Sequence, residues 1–153
     1  APRCLLCPLA DMCAGRRAGE PERLPVKPPK KAKPQRTGTA YWIGGDDGMI
    51  GNCVWLTRRE GEGMLGGMRA LPDDGWSARA DGHGEPPLSG EWREVGAVSH
   101  TFTHCSLSLK VLAYVEGPLN PLPPGEYWPV DELEEAGLPT LFAKAARLVL
   151  ASR

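Results

Sequence analysis

The 153-residue sequence has no apolar run long enough to cross a bilayer as a helix. Its first residues also lack the pattern of a secretory signal peptide, so a membrane partner and a secreted origin are not expected. It has no even set of cysteines. There are five, three of them within the first thirteen residues, which argues against a disulfide scaffold and for a metal site in a reducing compartment. A cytoplasmic monomer is the expectation. Charge of one sign is missing overall, the net value being −1, so the chain as a whole is no general nucleic-acid sponge. Histidine and phenylalanine are scarce, at three and two. That scarcity singles out Ser99 to Ser106, which holds two of the histidines and one of the phenylalanines.

What the chain does have is unevenly placed. Between Arg16 and Arg36 stand eight Lys or Arg against Glu20 and Glu22, a local net of +6 that leaves −7 on residues 37–153. Pro21, Pro25, Pro28, Pro29 and Pro34 punctuate the same stretch, which shows no apolar periodicity. It reads as a tether of extended polyproline geometry, spanning roughly 60 Å at about 3.1 Å per residue. Sixteen prolines and nineteen glycines in all predict long loops. The first residue is Ala1, which suggests a piece of a longer protein.

From Thr37 onward the pattern is that of a folded domain. Thr39 to Ile43 and Met49 to Arg58 read as two strands with a hairpin-type connection at Gly44 to Gly48. The adjacent glycines Gly66 and Gly67 imply a bulge or close backbone packing. Asp73 to Gly90 reads as a long loop with at most one helical turn, and Trp92 to Phe102 as a strand. Beyond it Cys105, Leu107, Leu109, Val111, Ala113 and Val115 alternate with polar residues, predicting a strand over His104 to Val115 with one buried face. Gly117 to Gly125 is a loop, Tyr127 to Val130 a short strand and Asp131 to Glu135 an acidic turn. After Pro139, the residues Leu141, Phe142, Ala145, Leu148 and Val149 make one helical stripe. Trp42, Trp55, Trp92 and Trp128 fall in strands and are expected in the core.

Two constellations carry chemistry. The triplet Phe102, Thr103, His104 sits where one strand meets the next, a rigid place to present side chains to a ligand. At the other end, Cys4, Cys7 and Cys13 have the spacing C-x2-C-x5-C, in which neighbouring thiolates reach one metal or cluster from a tight turn. Three ligands do not complete a tetrahedral site. A zinc knuckle would need Cys53 or Cys105, and both look like small core residues.

The cysteine segment resembles the end of the iron–sulfur loop of the endonuclease III and adenine DNA glycosylase superfamily, C-x6-C-x2-C-x5-C. Cys4, Cys7 and Cys13 match its last three cysteines, and Pro8-Leu9 the Pro-Leu that commonly follows the third. Leu65-Gly66-Gly67-Met68 with Leu71-Pro72, then Val98 to His104, then Leu138 to Lys144 are similar, in order, to three motifs of the C-terminal domain of MutY-type adenine DNA glycosylases. The resemblance implies an α+β, Nudix-like mixed sheet with a C-terminal helix. It divides the chain into a cluster-loop remnant at 1–15, a linker at 16–36 and a lesion-recognition domain at 37–153. It also implies a 4Fe-4S cluster held by Cys4, Cys7 and Cys13 plus a cysteine before Ala1, and double-stranded DNA with 8-oxoguanine:adenine or guanine:adenine mispairs as partner. Phe102, Thr103 and His104 would read the lesion, and adenine hydrolysis would belong to a domain outside this chain.

The Nudix hydrolase box, G-x5-E-x7-R-E-U-x-E-E-x-G-U, is broken here. Started from Gly67, it puts Asp73 at the first Glu, Asp81-Gly82 at Arg-Glu and Glu85-Pro86 at the Glu pair. Proline and glycines forbid the helix that such ligands need. A nucleotide pyrophosphohydrolase and a non-catalytic partner-binding module stand as the alternatives.

Overall fold

The computed structural model describes residues 2–26, 29, 32–46 and 52–152. By its contacts the chain forms two compact units, Ala1–Ala32 and Lys33–Arg153. In the first, a 3-10 turn at Cys4–Leu6 is followed by the single-turn helix α1 (Ala14–Arg17) and a second 3-10 turn at Pro21–Arg23. The expected tether is therefore locally wound at Arg16–Arg17 and Pro21–Arg23. Pro21 opens its turn in the position proline favours, and Arg23 pairs with Glu20. Lys27, Pro28, Lys30 and Lys31 of that tether lie outside the described residues.

Among the described residues the second unit holds seven strands: β1 (Gln35–Trp42), β2 (Gly44–Asp46), β3 (Asn52–Arg58), β4 (Arg69–Ala70), β5 (Glu91–Thr101), β6 (Ser106–Glu116) and β7 (Glu126–Pro129). Helix α2 (Thr140–Ala151) closes it. One sheet has the order β1-β6-β5, with β1 parallel to β6 and β5 antiparallel to it. In the other, β3 pairs antiparallel with β2, β4 and β7. The expected mixed α+β architecture with a C-terminal helix is what the chain adopts.

Two expectations need correcting. The folded domain starts earlier than Thr37, because Gln35 and Arg36 already pair with Ser106 and Leu107. The hairpin joins β2 to β3, while β1 goes to the other sheet. Gly38 to Trp42 are all buried, so the second half of β1 has no solvent face, as suits a strand in parallel pairing, while Gln35 and Thr37 at its start are exposed. Part of the predicted turn and the start of the predicted second strand, 47–51, lie outside the described residues.

The core forms where periodicity places it. Leu107, Leu109, Val111 and Ala113 of β6 join Ala40 and Trp42 of β1, Val54 and Leu56 of β3, and Leu141, Phe142, Ala145 and Val149 of α2. Each large side chain buried this way contributes about 1.5–3 kcal/mol. Cys53 and Cys105 are fully buried, as their apolar settings suggested, whereas Val115 at the end of the alternation is exposed. On the opposite side of the first sheet, Trp92 makes edge contacts with Tyr41 and Tyr114 at 5.1 and 5.0 Å between ring centroids. The tryptophan that the sequence reading passed over, Trp76, is fully buried although it sits in irregular chain. Among the described residues no helix is long and apolar enough to cross a membrane.

The glycine pair at 66–67 shows the close packing expected. A Cβ on Gly66 would stand 2.0 Å from the carbonyl oxygen of Gly61, and Gly67 has φ +73°. Gly66→Ala is expected to cost about 1–3 kcal/mol, seen as a lower urea midpoint at unchanged slope.

Candidate nucleic-acid interface

β5 and β6 form a hairpin whose register runs to Thr101↔Ser106. The strands thus stop one residue before Phe102 and resume two residues after His104, so both residues lie in the turn and outside the strands predicted for them. Phe102 N–H donates to the Cys105 carbonyl at 2.8 Å, which leaves Thr103 and His104 as the two exposed tip residues. The buried Cys105 anchors the turn on the core side. Two residues at the start of the domain hold the hairpin base from outside. Lys33 Nζ donates to the Phe102 carbonyl at 2.6 Å, and Ser106 N–H donates to the Pro34 carbonyl at 3.0 Å.

The Phe102 ring is half-buried and turned toward the domain. It lies 4.5 Å from the His100 ring and 6.0 Å from Trp76, tilted 31° to the latter. Behind Trp76 stands Arg59, its guanidinium carbon 4.1 Å from the indole centroid and its Nη2 donating to the Trp76 carbonyl at 2.6 Å. Arg59 Nε pairs with Asp73 Oδ2 at 3.2 Å, and both side chains are about nine-tenths buried. Burial holds the Asp73 carboxyl above its ordinary value of 3.8, outweighing Arg59 and the Gly75 N–H, which pull it down. The sequence reading identified the tip but missed Arg59, Asp73 and Trp76 as its support. Arg59 lies in the charged run Arg58-Arg59-Glu60-Gly61-Glu62, which resembles a solvated turn, and nothing local to Trp76 signals burial.

Apart from an isolated bridge between Asp73 and Ala40, the segment that would carry hydrolase ligands is irregular over 73–90. Two of its carboxylates are engaged structurally: Asp73 holds Arg59, and Asp81 Oδ1 accepts the Thr37 N–H at 2.8 Å. They do not share one helical face. A cleft of about 430 Å³ opens beside them, with Arg58, Arg59, Glu60, Asp73 and Trp76 among its walls. At the other end of the chain Cys4 and Cys13 are half-buried and Cys7 is exposed, all as free thiols. Among the described residues no three His, Cys, Asp or Glu gather closely enough to hold a metal.

The NUDIX domain family matches residues 48–148, more than half of the sequence, and the chain belongs to that family. Among solved structures it is similar to the C-terminal domain of mouse MUTYH, seen in complex with human PCNA. That match has 18% identity over 75% of this chain and 87% of the other, with a TM-score of 0.58. It is also similar to the NUDIX domain of Shewanella oneidensis NrtR complexed with ADP ribose, at 12% identity, 86% and 97% coverage and TM-score 0.58. The MutT protein from Methanosarcina mazei Go1 matches at 19% identity, 81% and 99% coverage and TM-score 0.54. At these identities the similarity shows a common fold.

The raised Asp73 value has a measurable sign. In the window from 3.8 up to its folded value the native chain binds the proton that the unfolded chain has lost, so this group's contribution to stability falls as pH rises. Urea unfolding of wild type and Asp73→Asn at several pH values is expected to show the difference moving in favour of wild type toward acid.

Proposed function

We propose that this chain is the C-terminal part of a MutY-type adenine DNA glycosylase of base excision repair. In this reading the tip of the β5–β6 hairpin recognises 8-oxoguanine opposite misincorporated adenine, and a domain outside the chain hydrolyses the adenine N-glycosidic bond. The observation that carries the reading is the exposed pair Thr103 and His104, held on a turn whose other residues face the core. The fold similarity to the MUTYH domain and the irregular chain at 73–90 support it.

The chemistry follows from the altered base edge. Guanine presents N7 and O6 as acceptors in the major groove. Oxidation at C8 turns N7 into a donor and adds an acceptor oxygen. The Thr103 hydroxyl donates and accepts at once, which matches such an edge, and its β-methyl limits the rotamers to be ordered on contact. His104 offers a second polar probe, and the Phe102 ring supports the turn. Contacts of this kind are worth about 1–3 kcal/mol, or roughly ten- to a hundred-fold in discrimination. Nothing in this step requires the cluster. Cys4, Cys7 and Cys13 would serve as three of its four ligands only with a cysteine from outside the chain.

The test is binding of the chain to duplexes that differ only in 8-oxoguanine:adenine or guanine:adenine. Wild type is expected to prefer the lesion, and Thr103→Ala to lose about ten-fold of that preference while binding the undamaged mispair as before. Equal weakening on both duplexes would contradict the assignment. The 430 Å³ cleft is what favours the pyrophosphohydrolase alternative. Incubation with magnesium and nucleoside triphosphates is expected to release no pyrophosphate, and release would favour that alternative.

A further inference from the structure

The hairpin tip does not fix its own orientation. Its turn is closed by one backbone hydrogen bond, and its direction relative to the domain depends on the Lys33 and Pro34 contacts at its base and on where the Phe102 ring is seated. That seat is partly Trp76, which lies in irregular chain and has no strand to hold it. The Trp76 indole Nε1 is buried without a hydrogen-bond partner among the described residues, so packing and electrostatics place the ring. Gly38 gives it room on one side: a Cβ there would stand 2.5 Å from Trp76 Cδ1. Arg59 adds a guanidinium 4.1 Å from the ring centroid and a hydrogen bond to the Trp76 carbonyl. Asp73 in turn holds Arg59.

From this chain of contacts we infer that Arg59 and Trp76 are positioning residues for lesion recognition, setting the direction of Thr103 and His104 through the Phe102 ring. The inference rests on the proposed reading of the tip. Its physical content is that Asp73, which falls where a hydrolase box has its first glutamate, serves here as the anchor of a reading device. A buried pair of this kind is strongly destabilising to break, because one charge is left without its partner. Arg59 is therefore held in one place, and a guanidinium in one place gives the indole one preferred stacking position. Lysine has neither the planar face nor the fork.

The test compares the full chain with Trp76→Phe, Trp76→Ala, Arg59→Lys and Thr103→Ala on the same two duplexes, together with amide spectra of the free proteins. Trp76→Phe is expected to keep the lesion preference within about two-fold, since it retains an aromatic ring under Arg59 and against Phe102, and the indole N–H it removes is unbonded. Trp76→Ala and Arg59→Lys are expected to lower the preference roughly five-fold while undamaged-mispair binding changes less than about two-fold. In Arg59→Lys without DNA, the Thr103 and His104 amides are expected to shift while those in the middle of β6 stay. Full preference in Arg59→Lys, or unmoved Thr103 and His104 amides, would overturn the inference. The amide comparison also decides the matter if Trp76→Ala does not fold. Failure of the underlying reading looks different: wild type then has no lesion preference and Thr103→Ala changes nothing, whatever the amides do.

Discussion

The parallel pairing of β1 with β6 is the constraint on which the rest of the domain depends. It fixes the first sheet by eight consecutive partners, Gln35↔Ser106 to Trp42↔Ala113. Because both strands run the same way, the start of β1 lies beside the start of β6, where the β5–β6 hairpin turns. That is why Lys33 and Pro34 reach the hairpin base. The other edge of β1 is covered as well. Tyr41 N–H donates to the Pro72 carbonyl, Asp74 N–H to the Thr39 carbonyl and Gly82 N–H to the Thr37 carbonyl. An exposed strand edge is an open template for association, and this segment closes it. The segment that would carry helical metal ligands in a hydrolase is here an edge cover.

That use of the 72–82 segment explains the charge buried beside it. A carboxylate taken out of water costs several kcal/mol unless it is paired and hydrogen-bonded. Asp73 has both Arg59 and the Gly75 N–H, yet burial still wins and its proton affinity rises. Such a pair is weak evidence for net stability. Its structural consequence is more definite: it ties β3, which ends at Arg58 just before Arg59, to the edge cover of β1. The two sheets are thus linked at the point where Trp76 and Phe102 meet.

Much of this was legible from local pattern. Period-two alternation gave β6 and its buried face, the apolar stripe gave α2, and proline with glycine excluded a helix over 73–90. The tip residues stood out because histidine and phenylalanine are rare elsewhere in the chain. Several features were not legible. Gln35 and Arg36 lie in a proline- and lysine-rich tract, and only their pairing with Ser106 and Leu107 makes them strand. Trp76 has the sequence surroundings of a loop, and its burial comes from Gly38 and Arg59, 38 and 17 positions away. Phe102 read as part of a triplet presented to a ligand, but its ring turns inward because Trp76 and His100 are there to receive it.

The sequence by itself determined the long alternating strand β6, the helix α2 and the helix-free loop over 73–90, that Cys53 and Cys105 are buried, and that the hydrolase box is interrupted. These follow from backbone preferences and side-chain periodicity, which are properties of neighbours along the chain. Only the tertiary structure decided that β1 pairs with β6 rather than β3, and that Asp73 anchors Arg59. It also placed the support of the hairpin tip in three residues, Arg59, Asp73 and Trp76, that carry no shared motif. Strand partners and buried ion pairs are chosen by what the rest of the chain leaves unpaired and by shape at close range. Neither is written in any one stretch of residues.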